Sequence, residues 1–190
     1  TAQHALRDLK KQGKRLRNKF ECTPETVCVE FGSIGKEEQQ EAVEKFLSIL
    51  GSSWQHEWME KSDKVDYKKY QDKLLAYTDI WIKQNSAKLY LTQVAGINMG
   101  YLYTLQSGRS CWCLMTGFNP ELRTYSPGKT VLIEMFKQSW ESGVREYYLG
   151  GNVLGWKGDW LTRCLRLNTM ELWLDSRKGL VHRCKLLMRR

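Results

Sequence analysis

Little in this 190-residue chain breaks or staples a backbone. It has three prolines, no Cys-x-x-Cys pair, and no apolar run near the roughly 20 residues that a membrane-spanning helix needs. So few prolines exclude a Pro-rich linker, and neither a low-complexity tract nor a fixed-period repeat is present. The six cysteines, Cys22, Cys28, Cys111, Cys113, Cys164 and Cys184, are even in number. The chain is nevertheless too long for a small disulfide scaffold and no signal-peptide pattern leads it, so reduced, mostly buried thiols are expected. Three histidines, His4, His56 and His182, lie far from any cysteine pair, which excludes zinc-type ligand spacing. Their polar or basic surroundings also argue against a histidine base. No metal site is expected, and the reading at this level is a soluble, cytoplasmic protein. The first residue is threonine and not methionine, which leads to the expectation of a processed chain or a piece of a longer one.

What the chain does have is an aromatic-rich apolar fraction: 42% of residues are hydrophobic, with eight Trp, nine Tyr and five Phe. That composition and length fit one globular domain over residues 1–190. The net charge is +9, and the excess gathers in a basic N-terminal helix, 1–20, and a basic C-terminal helix, 176–190. Clustered lysine and arginine suit phosphate, whether of a nucleic acid or of a phosphorylated cofactor. Neither basic segment carries a helix-turn-helix, zinc-finger or aromatic RNP pattern, so a nucleic-acid partner such as tRNA has no motif behind it.

Hydrophobic spacing assigns the elements. Leu6, Leu9 and Leu16 make a narrow apolar stripe on the first helix, and Thr26 to Phe31 reads as a strand stopped by Gly32. Glu37 and Glu38 ahead of Ala42, Val43, Phe46, Leu47 and Leu50 give a second helix ended by Gly51. Spacing of three and four from Tyr70 to Trp81 predicts a helix over 67–84. The period then changes to two, predicting strands 88–94, 97–105 and 110–118 with turns at Ala95-Gly96 and Ser107-Gly108-Arg109. In the last of these, Cys111 and Cys113 share one face as small core side chains. A loop 119–128, a helix over 130–142 stopped by Gly143, and a strand 144–149 complete a right-handed crossover between parallel strands. A further strand over 164–174 is expected after it.

Two segments carry chemistry. In the first, Tyr125-Ser126-Pro127-Gly128-Lys129-Thr130 opens a helix, where free amides and the positive dipole end bind anions. Gly128 allows close approach of backbone to ligand, and Lys129 adds a cation. It is not a Walker loop, because position 123 is arginine where that motif has its first glycine. The bland alternative is a simple helix entry. The second is Tyr148-Leu149-Gly150-Gly151-Asn152 followed by Trp156-Lys157-Gly158-Asp159-Trp160, beyond a parallel strand end, where ligands of open sheets collect. For Lys157 the alternative is a surface lysine, and for Tyr148 a packed aromatic; Trp156 and Trp160 read as packing residues.

Together, Gly117-Phe118-Asn119-Pro120-Glu121, Tyr125-Ser126-Pro127-Gly128, Gly143, Tyr148-Leu149-Gly150-Gly151 and Trp156-Lys157 resemble the GNAT-type acyltransferase domain of the CelD-like (cellulose-biosynthesis acetyltransferase) group, related to the Fem aminoacyl transferases. The resemblance covers roughly residues 66–175. Tyr148 stands where that group has an acidic or aromatic residue, and Trp156 replaces its tyrosine. The resemblance implies an α/β fold whose mixed, mostly antiparallel central sheet is flanked by helices and holds a parallel, splayed strand pair. It also implies acetyl-CoA or another acyl-CoA in the splay, held by Phe118, Asn119, Tyr125, Ser126, Pro127, Gly128, Lys129 and Thr130. Direct transfer to a small-molecule or peptide amine would follow. A backbone N–H in Phe118 to Asn119 would serve the oxyanion, and Tyr148, Asn152 or Lys157 would handle protons or the acceptor. The alternatives left open are a Fem-like, aminoacyl-tRNA-dependent transferase or nucleic-acid-associated module, and an inactive interaction domain of the same fold.

Overall fold

A computed structural model describes residues 2–53 and 67–150, together with Lys157, Gly158, Trp160 and Thr162. The chain divides into two compact units, Thr1–Trp160 and Leu161–Arg190, and all described residues except Thr162 belong to the first. The expected strand 164–174, the basic helix 176–190, Trp54, Trp58, Gly151, Asn152, Trp156 and Asp159 lie outside the described residues. Among the described residues no helix is long and apolar enough to cross a membrane, and no group of His, Cys, Asp or Glu is placed to hold a metal.

The elements run α1 (Ala2–Phe20), β1 (Glu25–Glu30), α2 (Lys36–Ser52), α3 (Tyr67–Lys83), β2 (Ala87–Val94), β3 (Ile97–Ser107), β4 (Ser110–Phe118), α4 (Pro127–Glu141) and β5 (Glu146–Tyr148), with short 3-10 turns at Phe31–Ser33 and Pro120–Tyr125. One five-stranded sheet follows chain order. Its first four strands pair antiparallel, and β4 with β5 is the parallel pair. This is the mixed sheet with a single crossover that the change of hydrophobic period predicts.

Alternation along the strands supplies two buried faces. Leu89, Leu91, Tyr101 and Tyr103 meet Phe46, Ile49 and Leu50 of α2, with Phe31 closing the cluster. Tyr103 lies over Phe46 with ring centroids 5.9 Å apart, and Tyr101 stands edge-on to the same ring at 4.7 Å. On the opposite face α4 buries Val131, Leu132 and Met135; the Cys111 thiol lies 4.0 Å from Met135 Sδ. The C-terminal end of α1 docks there too: Leu16 and Phe20 pack with Val94, Met99, Leu122 and Tyr125. Leu6 is instead 44% exposed, so the expected stripe of α1 is buried only in its last two turns.

The punctuation differs from expectation at Gly51, which α2 passes through to end at Ser52. The terminus is set by Ser53, whose amide and hydroxyl both donate to the Leu50 carbonyl, at 3.2 and 2.8 Å. At Gly143 the reading holds: its φ is +93°, and the amides of Gly143 and Val144 close onto Trp140 and Ser139 at 3.1 and 3.0 Å, a Schellman ending.

Candidate active site

The site grows from β4. Its parallel pairing with β5 covers only Ser110↔Glu146, Cys111↔Tyr147 and Trp112↔Tyr148, after which β5 ends. Two residues later the β3–β4 register shifts: Tyr103 faces Met115 and Thr104 faces Cys113, leaving Leu114 as an extra residue. Such a bulge bends its strand and raises local twist. β4 therefore turns where its neighbour stops, and the described strands leave its edge open from Leu114 to Phe118.

The ladder fixes what that edge presents. The Asn119 amide donates to the Met99 carbonyl at 2.8 Å, so residues 99 and 119 form a hydrogen-bonded pair. In an antiparallel ladder such pairs alternate with non-bonded ones, and the register pairs Gly100 with Phe118 and Leu102 with Thr116. The backbone N–H and C=O groups of Phe118 and Thr116 hence project away from β3, toward the side β5 has vacated. Of the two amides that the sequence offers for an oxyanion, Asn119 is engaged by Met99 while Phe118 faces the opening. Thr116 adds a second amide that no sequence signal marks, because the bulge is a property of pairing and not of any residue type.

The Asn119 side chain also shapes the backbone beyond the strand. Its oxygen accepts from the Glu121 amide at 3.0 Å, capping the turn Pro120–Tyr125. That turn delivers the chain to Ser126, which stands in the left-handed region at φ 54°, ψ 49°. A non-glycine residue there costs on the order of 1 kcal/mol. Pro127 follows as the first helical residue and has no N–H to satisfy. The amides of Lys129 and Thr130 both turn back to the Ser126 carbonyl, at 3.0 and 3.1 Å, and the Thr130 hydroxyl joins them at 3.3 Å. No side chain caps the helix, and the Gly128 amide donates to no described residue. A Cβ built on Gly128 would meet only Phe118 Cδ1, at 3.8 Å. The fold therefore makes no demand for glycine here; a bare, amide-bearing helix start beside Phe118 is suited to an approaching anion.

Gly117 is different. A Cβ there would stand 2.5 Å from Tyr101 Cε1 and 2.9 Å from its hydroxyl, so this glycine of the motif makes room for the Tyr101 ring.

Tyr148, the last residue of β5, stacks on Trp112 with centroids 3.9 Å apart and planes 7° from parallel. Its hydroxyl lies 3.2 Å from Glu146 Oε2, which also accepts from Ser110 Oγ at 3.1 Å. Tyr147 points the other way, its hydroxyl 3.1 Å from Ser139 Oγ under α4, and burial pushes that phenol up. Lys157 lies at the mouth of the fork: its Nζ is 3.7 Å from a Cβ built on Gly150, which itself sits 3.5 Å from the Cys113 carbonyl. The neighbouring Cys111 thiol and burial push the Cys113 thiol up, and the charge on Lys157 opposes them. Phe118, Ser126 and Gly128 thus gather at the C-terminal end of β4, with Lys129 and Thr130 in the first turn of α4, whereas Tyr148 lies beside Trp112, the third residue of the strand, and Lys157 near Gly150 and Cys113. Tyr125 stands one residue before Ser126, its ring edge-on to Phe20 at 6.3 Å, which ties the loop to α1.

Comparisons with known proteins agree with the fold. A family model described as an acetyltransferase (GNAT) domain matches residues 6–158. Among solved structures, an aminoglycoside acetyltransferase from an uncultured soil metagenomic sample, crystallised with sisomicin, superposes with a TM-score of 0.54 at 9% identity, covering 84% of this chain and 99% of that one. A second aminoglycoside acetyltransferase from such a sample gives 0.54 at 7% identity over 80% and 99%. At these identities the likeness is one of fold. Comparison with curated proteins gives no match.

Proposed function

The chain belongs to the acetyltransferase (GNAT) domain family, and on that premise we propose that it transfers an acyl group, in the first instance acetyl, from CoA directly to an amine of a small molecule or peptide. Within the family we assign it to the CelD-like group, related to the Fem transferases, on the Gly117-to-Trp156 motifs. We place the reaction in the cytoplasm.

The observation that carries the proposal is the edge of β4 that the described strands leave open, along which the Thr116 and Phe118 amides project away from β3 and which leads to the uncapped start of α4. Bound acyl-CoA would supply a thioester carbonyl activated for attack. The residues that would hold it are Phe118 and Asn119 at the strand end and Tyr125 to Thr130 at the helix start. The unengaged Gly128 amide and the dipole of α4 favour a diphosphate. The Phe118 amide is aimed to donate to negative charge developing on the carbonyl oxygen. An amine must lose a proton as its bond to the acyl carbon forms, and the sulfur must gain one as the C–S bond breaks. We assign these proton transfers to Tyr148 and Lys157, together with Asn152, on the sequence motif.

The test is release of free CoA thiol from acetyl-CoA in the presence of a panel of amines, alongside the melting temperature with CoA. Amine-dependent release and a CoA-dependent rise in melting temperature are expected. A chain that CoA does not stabilise, and that releases no thiol with any amine, refutes the proposal.

A further inference from the structure

The proposed cofactor seat accounts for a diphosphate, but CoA also carries a phosphate on its ribose 3′ oxygen, and one bare helix start does not answer a second phosphate. Besides Lys129, in the first turn of α4 itself, cations reach the loop before this helix from α1. Leu16 is 1% exposed and turns inward with Phe20. Arg15 and Lys19, one helical turn apart, ride on the shoulder of that stripe, with Lys11 continuing the row. Arg15 Cζ stands 5.9 Å from the centroid of the Tyr125 ring, and Lys19 Nζ stands 5.6 Å from it and 5.1 Å from that of Phe20. Both side chains belong to exposed residues. Arg15 donates to Gln12 Oε1 at 3.2 Å, and neither cation has a carboxylate partner among the described residues. Tyr125 is the residue before Ser126. The ring that steadies these two cations is therefore covalently part of the loop that starts α4.

We infer that Arg15 and Lys19 recognise the 3′-phosphate of CoA, so that α1 is part of the cofactor site. The inference rests on the proposed transferase reading. A phosphate dianion gains charge-assisted hydrogen bonds from a guanidinium and an ammonium held on one side, and contact with Tyr125 lowers the entropy lost in ordering them. An RNA backbone would call on the whole basic length of α1, whereas Arg15 and Lys19 are the α1 cations that, among the described residues, stand over the Tyr125 ring.

The experiment measures Kd by titration calorimetry for CoA and for 3′-dephospho-CoA. It uses the unaltered chain, the pair R15Q/K19Q, and the control pair K10Q/K14Q, which removes the same charge from the same helix. The unaltered chain should prefer CoA roughly tenfold. R15Q/K19Q should lose that preference by weakening CoA alone, and K10Q/K14Q should keep it; matching melting curves establish that each variant is folded. Three results overturn the inference: equal weakening of both ligands in R15Q/K19Q, the same loss of preference in the control pair, or a preference that survives R15Q/K19Q while affinity for a single-stranded RNA falls. An unaltered chain that binds both ligands equally sinks this inference alone. One that binds neither sinks the transferase reading with it.

Discussion

Replacing Gly128 separates binding from folding, because the two effects have opposite signs. A Cβ at this position meets only Phe118 Cδ1 at 3.8 Å, and the glycine is not in a left-handed conformation. Gly128→Ala should therefore fold, and the better helix propensity of alanine contributes up to about 1 kcal/mol of added stability. Gly128→Glu sets a carboxylate in the first turn of α4, where the helix dipole favours it by about 0.3–1 kcal/mol. That carboxylate stands where the diphosphate is proposed to sit. At about 5 Å from one phosphate charge the repulsion is roughly 3 kcal/mol at an effective dielectric near 20. Halving this for screening by solvent and salt leaves about 1.5 kcal/mol, roughly tenfold in Kd. Blockage of the Gly128 amide by the longer side chain brings the expected loss to roughly a hundredfold. Thermal melts of Gly128→Glu should match or exceed those of the unaltered chain, while calorimetry with CoA shows the loss. A variant that melts normally and binds CoA unchanged refutes the reasoning.

Other consequences follow from the same geometry. Gly117→Ala forces a methyl group into the Tyr101 ring and should cost about 1–3 kcal/mol in urea unfolding, with no dependence on CoA. Leu50→Ala opens the core against α2, where Leu50 is fully buried, and should cost about 2–5 kcal/mol by the same measurement. Tyr148→Phe should lower kcat by roughly a hundredfold and leave the Kd of CoA unchanged, since the stack on Trp112 survives without the hydroxyl; steady-state kinetics checks both. Burial pushes the Tyr103 phenol up to about 12, above its ordinary value near 10. The folded chain thus holds that proton more tightly than the unfolded one, so the associated stability is complete below about pH 10 and is lost between about pH 10 and 12. Tyr103→Phe should flatten the fall in stability across that window, read from urea midpoints on either side of it.

Much of the fold was legible because local chemistry decided it. The Ala95-Gly96 turn has both residues at positive φ, the geometry of a two-residue hairpin, and Gly143 ends α4 by its conformational freedom. Gly51 misled because glycine stops a helix only where positive φ is needed, and here the Ser53 hydroxyl performed the capping. Gly32 was readable as the end of a strand but not as the place where the Asn85 side chain lies against the backbone. At the site, the helix start could be read from Ser126-Pro127-Gly128, since a proline at the first helical position and the free amides of the first turn are local features. The role of Asn119 as a cap, the bulge at Leu114 and the outward amide of Thr116 could not. The cap is a contact of Asn119 with Glu121, two residues on, that follows from the course of the backbone after β4. The bulge and the outward amide arise from the pairing register of β3 with β4, and no side chain advertises a register shift. The Trp112–Tyr148 stack was hidden for the same reason, as it exists only once β4 and β5 are paired.

The edge of β4 from Leu114 to Phe118 and the start of α4 are proposed to form one seat for CoA. A crystal structure of the chain grown with CoA should show a diphosphate oxygen about 3 Å from the Gly128 amide and a pantetheine arm running along Thr116 to Phe118. CoA held elsewhere on the chain, with those amides turned to solvent, would contradict the proposal.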